Sequence, residues 1–468
     1  MSRGKEFAKN TLILFIGKFS TQFVSLLLLP LFTHYLLADD YGFVDLLQTY
    51  ITLFVPILTL RMDSVVFRFL IDKREDEKGK TVIISNVLFV LLCGIIFAIS
   101  AYVLILLFIK FKYLYYVLFN IVIMMISNVL LQVLRGLGKN KEYSTCSIIT
   151  GLSNLVINIV MIIFLNYGAE SILISSSIAN LFVITYITIK ARLIKYFDLN
   201  EINKEEVKKF LAYSLPMIPN SLSWWVVNVS DRTIISFYLG VAFNGIYTVS
   251  CKFSNILNSV FSIFNMSWQE SAALHINDDD KEVFFSDMIN KLFISFSSVS
   301  LLILSVLPLL YDLLIGNEYI DSYFYIPILL YSNSWNIMIS LIGGIYIALK
   351  KTKEVAGTTI MSAILNIIIN ILLIKPIGLY AACVSTLCSY LIMSIYRIID
   401  CRKYINIKLN YSSIILFTFI FVLSSVIYYI NNVYLNVLNL VFVIVYSVLV
   451  NKDILLSILN SVKKKVLR

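Results

Sequence analysis

The segment KNKEYSTCSIITGLSNLVINIV at residues 139–160 recurs in altered form as KTKEVAGTTIMSAILNIIINIL at residues 351–372. A second match aligns HYLLADDYGFVDLLQTY at residues 34–50 with FYLGVAFNGIYTVSCKF at residues 237–253. Similar shifts, of 212 and 203 residues, relate the two pairs, which predicts two copies of one structural unit. In the first pair the matching positions are Lys139, Lys141, Glu142, Asn154 and Asn158 against Lys351, Lys353, Glu354, Asn366 and Asn370.

The composition around these segments indicates a membrane protein. Of the 468 residues, 59% are hydrophobic and only 14% are charged, whereas soluble domains carry about 25% charged residues. The mean hydropathy is +0.87. A disordered chain and a soluble enzyme of several domains are both excluded, because the exterior must be as apolar as the core.

Apolar runs long enough to cross a bilayer recur along the whole chain. A membrane helix needs roughly 20 apolar residues, and about fourteen such runs are present. They do not alternate in polarity as the strands of a membrane barrel would, so the predicted fold is all-α. The predicted spans are 10–36, 43–70, 82–108, 114–135, 144–165, 171–190, 212–238, 245–267, 284–311, 325–349, 355–374, 379–398, 412–430 and 433–450.

The repeat and the spans together predict the architecture. Six spans return the chain to the side from which it started, so both copies enter the membrane in the same direction. We therefore expect two parallel six-helix bundles facing a central cavity, as in a transporter, followed by two additional helices. The predicted parts are an N-terminal bundle at 1–193, a cytoplasmic linker at 194–211, a C-terminal bundle at 212–400, and a last part at 401–468 with two helices and a basic tail.

Lysine and arginine are concentrated in alternate loops, which predicts the orientation. With both termini in the cytoplasm of an inner-membrane protein, the opposite loops hold only Lys110, Lys112 and Lys375. A basic face beside anionic membrane lipid explains the net charge of +10, so no nucleic-acid partner is predicted. The basic cytoplasmic residues near the C-terminus are Arg397, Arg402, Lys403, Lys408, Lys463, Lys464, Lys465 and Arg468.

Two predicted spans carry a polar stripe with one lysine each. In the first span, Lys18 shares a helical face with Gln22, Thr21 and Ser25. In the eighth span, Lys252 shares a face with Asn255 and two serines. A charge inside a membrane costs roughly 2.5–3.5 kcal/mol or more, so each stripe faces either a wet cavity or a buried acidic partner.

Spans two and seven carry arginine and aspartate together. In the second span, Arg61 lies deeper than Arg68 and on a different face from Asp63, although Pro56 can kink the helix and change this register. In the seventh span, Asp231 and Arg232 are adjacent and can form a structural ion pair. The aspartates are candidates for coupling or for structural pairing. Two distant histidines predict no metal centre, and no cofactor is expected.

Five stretches resemble the bacterial polysaccharide repeat-unit flippases, the O-antigen and capsule (Wzx-type) transporters. These belong to the MATE-like multidrug/oligosaccharidyl-lipid/polysaccharide superfamily. The resembling stretches are LPLFTHYLLADDYGFVDLL at 29–47, PILTLRMDSVVFRF at 56–69, LRGLGKNKEYS at 134–144, YSLPMIPNSLSWWVVNVSDRTIISFYLG at 213–240 and NGIYTVSCKF at 244–253.

The resemblance implies a flippase that carries undecaprenyl-diphosphate-linked oligosaccharide to the outer leaflet, with no enzymatic step. It also implies that cationic residues of a central cavity bind the diphosphate. The substrate-binding candidates are Lys18, Gln22, Arg61, Lys252, Asn255 and Arg232. A polymerase and chain-length proteins of the same pathway are the protein partners that the resemblance suggests.

Three alternatives stay open. A MATE-type drug or cation antiporter would want an acidic residue in the first span, and residues 10–36 contain none. A lipid II flippase would share the mechanism and differ in the glycan. A membrane glycosyltransferase or polymerase would need a sizeable outer domain, although Asp39 and Asp40 supply an acidic pair in the first outer loop.

Overall fold

The computed structural model describes residues 3–108, 113–453 and 456, and no strand occurs among them. The all-α prediction is confirmed. The α-helices in the described part of the chain are α1 (Arg3–Tyr35), α2 (Ala38–Leu58), α3 (Met62–Asp72), α4 (Glu77–Phe108), α5 (Leu114–Gly136), α6 (Asn140–Ile159), α7 (Glu170–Ala191), α8 (Lys204–Ser214), α9 (Met217–Tyr238), α10 (Val241–His275), α11 (Lys281–Leu314), α12 (Ile326–Ala348), α13 (Thr352–Ile377), α14 (Tyr380–Cys401), α15 (Tyr411–Ile430) and α16 (Val433–Val450).

Eleven helical segments in the described residues are long and apolar enough to cross a membrane. They include α2, α4 to α7 and α11 to α16, where α6 and α12 are extended by a π turn and a 3-10 segment. The other three predicted spans coincide with α1, α9 and α10. The helices therefore define a multi-pass helical membrane protein. The number of fourteen membrane crossings stays a prediction.

The chain divides into two compact units. Unit 1 comprises Met1–Ser236 and Gly240–Gly245, and unit 2 comprises Phe237–Leu239 and Ile246–Arg468. In unit 1, α1 packs against α6, and α7 packs against α5 and α6. In unit 2, α14 packs against α12 and α13. Helix α9 belongs to unit 1 although the sequence assigns it to the second bundle, so the bundle boundaries at 193 and 212 stay a prediction.

The backbone repeats where the sequence repeats, at the turns that precede α6 and α13. Gly138 and Lys350 occupy the left-handed region with φ of 77° and 60°. The next residues, Lys139 and Lys351, have φ/ψ of −85°/58° and −90°/55°. Each of their amides donates to a carbonyl oxygen five residues earlier, at 2.8 Å. The two segments therefore form the same helix-ending turn.

The asparagines of the two repeated segments connect neighbouring helices. The Nδ2 of Asn158 donates to the Oγ of Ser175, from α6 to α7, at 2.7 Å. In the second copy, the Nδ2 of Asn366 donates to the Oγ1 of Thr386, from α13 to α14, at 3.3 Å. Hydrogen bonds of this kind hold membrane helices together where no water competes for the polar group. Asn158 and Asn366 therefore each join two helices of their own unit.

Gly42 and Gly245, which the repeat aligns, contact each other within unit 1. A Cβ atom on Gly42 would lie 2.2 Å from the carbonyl oxygen of Val241, and one on Gly245 would lie 2.3 Å from that of Ala38. Any larger residue would clash with backbone at either position, so this close crossing requires glycine. The Nδ2 of Asn244 donates to the Gly42 carbonyl oxygen at 2.7 Å. The contact is reciprocal, as expected when two equivalent segments cross.

In unit 1, an asparagine of α4 holds the connection that leads into α8. The Nδ2 of Asn86 donates to the carbonyl oxygen of Glu201 at 2.9 Å, and its Oδ1 accepts from the amide of Asn203 at 2.8 Å. Asn203 then caps α8 by accepting from the amide of Glu205. A connection with few regular hydrogen bonds is thus fixed by one fully buried side chain.

Unit 2 uses the same device on α11. The Nδ2 of Asn290 donates to the carbonyl oxygen of Lys408 and its Oδ1 accepts from the amide of Asn410, both at 2.9 Å. Asn410 caps α15 by accepting from the amide of Ser413. Asn86 and Asn290 thus play equivalent roles in the two units. The structural repeat therefore includes the connections that follow α7 and α14.

The last two helices are an integral part of unit 2. Both α15 and α16 pack against α11. The rings of Tyr323 and Tyr428 stack with centroids 3.9 Å apart. Each hydroxyl donates to the carbonyl oxygen of the other residue, at 2.7 and 3.0 Å. Helix α15 is therefore fixed to this unit by paired hydrogen bonds as well as by apolar contact.

Arg397 is one basic residue that the orientation argument misplaced, because it lies in the core of unit 2. It is 2% exposed and points from α14 between α12 and α13. Its guanidinium donates to the Oγ1 of Thr358 at 2.8 and 3.0 Å and to that of Thr359 at 3.3 Å. It also donates to the carbonyl oxygens of Ile339 at 3.0 Å and Val355 at 3.2 Å. Neutral acceptors thus hold this cation.

Candidate functional site

The second predicted span is interrupted at the position of its deepest arginine. Helix α2 ends at Leu58 and α3 begins at Met62, and both Leu60 and Arg61 have left-handed backbone with φ of 48° and 58°. Both residues have a Cβ atom, and for each of them the left-handed backbone conformation costs about 1–2 kcal/mol of free energy. The single span predicted at 43–70 is therefore two helices. Pro56 lies inside α2, so the expected kink becomes a break a few residues later.

The break presents the guanidinium of Arg61 to three polar side chains. Its Nε lies 3.2 Å from the Oδ1 of Asp63, with the two side chains 24% and 26% exposed. Its Nη2 donates to Ser64 at 2.5 Å, and its Nη1 donates to Ser221 of α9 at 2.6 Å. Arg61 and Asp63, placed on different faces by ideal helical spacing, are thus brought together because the helix is not continuous.

A second cation of unit 1 lies farther along the same two helices. The Nε of Arg232 on α9 lies 2.9 Å from the Oδ2 of Asp45 on α2, with side chains 18% and 12% exposed. Arg232 thus has an acidic partner on another helix, and the pair that the sequence suggests between the neighbours Asp231 and Arg232 stays a prediction. Asp231 is 4% exposed. Adjacent helical residues point about 100° apart, which favours a partner from another helix.

Two further hydrogen bonds complete the contact between α2 and α9. The indole nitrogen of Trp225 donates to the carbonyl oxygen of Thr49 at 3.0 Å, and the hydroxyl of Tyr50 donates to Thr233 at 3.3 Å. Trp225 therefore has a packing role, and α2 and α9 run antiparallel with a cation bound near each end of their contact.

The remaining sequence candidates lie on α1 and α10. Lys18 is within α1, and its side chain lies outside the described residues. Gln22 is half-buried on the same helix. Lys252 is half-buried and Asn255 is exposed on α10, in unit 2. A cavity shared by Lys18 and Lys252 stays a prediction.

Several residues of these sites carry no sequence signal. Ser64 and Ser221 bind Arg61, yet isolated serines are frequent in apolar helices. Asp45 is a single aspartate near the start of the second predicted span, and no motif marks it. Ionic partners come from helices that are far apart in sequence, so spacing within one helix could not identify them. The nearest usable signal is the unusual density of charged residues at 61–68.

Comparison with solved structures defines the fold. The chain is similar to the lipid II flippase MurJ in its inward closed conformation, with a TM-score of 0.71, 16% identity and coverage of 95% of this chain and 100% of that chain. It is also similar to an inward-facing multidrug resistance MATE family transporter of the MOP superfamily, with a TM-score of 0.67, 12% identity and coverage of 84% and 94%. The predicted MATE-like fold is confirmed.

A third similar structure is a MATE transporter of Vibrio cholerae, with a TM-score of 0.59, 16% identity and coverage of 85% and 96%.

The family follows from sequence. The model of the polysaccharide biosynthesis protein family matches residues 7–268, and the chain belongs to that family. The family resemblance recognised in the sequence is thereby confirmed. No curated protein matches the chain.

Proposed function

We propose that this protein is a flippase that moves undecaprenyl-diphosphate-linked oligosaccharide repeat units across the cytoplasmic membrane by alternating access. The product would serve O-antigen, capsule or related polysaccharide synthesis. Membership of the polysaccharide biosynthesis family and the transporter fold support this proposal. A diphosphate and its sugars cannot cross hydrocarbon unaided, because even one bare ion costs tens of kcal/mol by Born estimates. The protein's task is therefore translocation, without a covalent step.

The observation that carries the proposal is the cation at the break between α2 and α3. Arg61 lies on non-helical backbone inside a predicted span, a conformation that membrane proteins tolerate only where it is buried or lines a water-filled cavity. Its guanidinium is about one-quarter exposed. A guanidinium has five N–H donors and suits two phosphate oxygens at once. Asp63 and the two serines would hold it in place until the diphosphate competes for it.

Substitution of Arg61 tests the function directly. We expect Arg61→Ala to weaken the binding of undecaprenyl diphosphate to the purified protein by at least about tenfold, since a hydrogen bond to a charged group contributes about 1.5–3 kcal/mol. Arg61→Lys should retain part of the affinity, because the charge persists without the paired geometry. Equilibrium binding in lipid nanodiscs measures both.

Arg68→Ala is the matched control for that measurement. Arg68 is on α3, is exposed and pairs with Asp72 at 2.8 Å. Exposed pairs contribute about 0–1 kcal/mol, so this variant should bind like the wild type. Equal affinities of Arg61→Ala and wild type for undecaprenyl diphosphate, with both proteins folded, would remove the anion site from the proposal.

Lipid II transport is the second candidate, favoured by the coverage of the whole MurJ chain. The two candidates share the diphosphate and differ only in the attached glycan. Binding of lipid II in preference to the lipid-linked repeat unit would decide for this alternative. A MATE-type antiporter would bind neither lipid.

We further propose that the protein lies in the inner membrane with both termini cytoplasmic, from the uneven distribution of lysine and arginine. The test is Glu205→Cys, introduced into a variant without the six native cysteines. Glu205 lies in the first turn of α8, within the predicted cytoplasmic linker. A membrane-impermeant maleimide should label it in inverted vesicles and leave it unlabelled in intact cells. Labelling from outside intact cells would reverse the orientation.

A further inference from the structure

Helix α10 has two faces of opposite character within unit 2. One face is buried in the unit and carries large apolar side chains, including Phe253, Leu257, Phe261 and Trp268. The opposite face begins at Lys252 and continues with Asn255, which is exposed, and with Ser259 and Ser262, which are half-buried. A partly open polar face is costly against lipid, so it belongs beside water. Along the helix it extends over about 15 Å.

Amide side chains border this face where α10 meets α12. The Nδ2 of Asn258 donates to the Oδ1 of Asn333 at 2.9 Å. The Nδ2 of Asn336 lies 3.5 Å from the Oδ1 of Asn258. Asn333 is 7% exposed and buried, whereas Asn258 and Asn336 are half-buried. Each amide has two N–H donors and an oxygen with two lone pairs, so these few bonds leave the half-buried pair with further capacity.

Asn265, two turns beyond Asn258 on α10, has a buried Oδ1 that lacks a hydrogen-bond partner in the described part of the chain. A buried polar atom without a partner costs about 1–3 kcal/mol, and a bound polar ligand or water would recover that energy.

The chemistry of this surface differs from that of an anion site. Helix packing alone explains the bond between Asn258 and Asn333, but it does not explain the exposed Asn255 or the half-buried Asn336. Beyond Lys252 the polar face and its border are neutral, with both donors and acceptors. Neutral groups of both kinds match the hydroxyl and amide groups of a sugar.

We propose that Asn255, Asn258 and Asn336 form a glycan-binding surface on unit 2, which contacts the sugars of the transported lipid rather than its diphosphate. The inference rests on the proposed function. It assigns recognition of the glycan to neutral amides of α10 and α12, whereas the cations recognise the part of the lipid that all such substrates share.

Binding of two probes tests this assignment. One probe is undecaprenyl diphosphate, and the other is the lipid-linked repeat unit extracted from cells that carry the gene. We expect the double variant Asn255→Ala, Asn336→Ala to bind the repeat unit about tenfold more weakly, which corresponds to 1.4 kcal/mol. Its affinity for undecaprenyl diphosphate should stay within about twofold of the wild type, because neutral hydrogen bonds to the glycan are all that is removed.

Two further variants make the result unambiguous. Asn255→Ala alone truncates an exposed side chain, so it leaves no buried group behind, and it should show a smaller loss with the same selectivity. Asn406→Ala removes an exposed asparagine from the connection between α14 and α15, and both affinities should be unchanged. Thermal unfolding of every variant in the same nanodiscs reports on folding.

The outcomes separate the two proposals. Equal weakening for both probes, or no weakening for the repeat unit, overturns the glycan surface and leaves the flippase proposal intact. A wild-type protein that binds undecaprenyl diphosphate as tightly as the repeat unit also overturns the glycan surface. A wild-type protein that binds neither probe overturns the flippase proposal, and the glycan surface with it.

Discussion

Cells in which Lys18→Ala or Lys252→Ala replaces the wild-type protein are expected to display no surface glycan. A diphosphate carries about two negative charges, and the sequence-based prediction is that the two lysines and Arg61 neutralise it. Removal of either lysine leaves one charge without compensation while the substrate is inside the membrane, where an unpaired ion costs several kcal/mol. We therefore expect a complete loss of transport, and not merely a small decrease in affinity for the substrate.

Conservative variants and a control complete this experiment. Lys18→Arg and Lys252→Arg should keep partial export, because the charge persists although its geometry changes. Lys141→Ala, at an exposed position of α6, should export normally. Surface glycan is measured on intact cells, and the amount of protein in the membrane is measured on the same cultures.

The experiment distinguishes a binding role from a structural one. Normal export by both alanine variants would show that the anion site lies elsewhere. Failure of both variants to accumulate in the membrane would show that the lysines are structural partners of buried acids. One of these acids, Asp63, is paired with Arg61 at 3.2 Å.

Arg397→Ala is expected to destabilise unit 2 more than any other single substitution of a basic residue that we consider. The guanidinium joins α14 to two threonine hydroxyls of α13 and to carbonyl oxygens of α12 and α13. Its loss leaves several buried acceptors unpaired, at about 1–3 kcal/mol each, and opens a cavity where a large side chain was packed. The free energy of unfolding should fall by several kcal/mol.

Arg397→Lys should lie between the alanine variant and the wild type, because one ammonium cannot reach acceptors on both helices as a planar guanidinium does. Arg402→Ala is the control. That residue directly follows α14, is exposed and donates to the hydroxyl of Tyr411 at 2.7 Å, so the change should stay within about 0.5 kcal/mol. Thermal unfolding in detergent compares the three variants. An unfolding temperature of Arg397→Ala equal to that of the wild type would contradict the structural role.

Local sequence could identify helices and a kink at Pro56, but not the break at residues 59–61. The run 43–70 is apolar enough for one span, yet the structure divides it at residues 59–61. At the break, Arg61 donates a hydrogen bond to Ser221, which is 160 residues away. Helix propensity depends on each residue and its near neighbours in sequence, so it does not reflect a contact between such distant residues.

The sequence by itself determined that this is an all-helical membrane protein of the polysaccharide biosynthesis family with an internal repeat. These properties depend on hydropathy and on residue types along the chain, and both can be read position by position. Only the tertiary structure decided that Arg232 pairs with Asp45, that Arg397 is buried among neutral acceptors, and that Asn258 meets Asn333 and Asn336. In an apolar chain each polar group must find a partner from another helix, and packing between remote segments selects that partner.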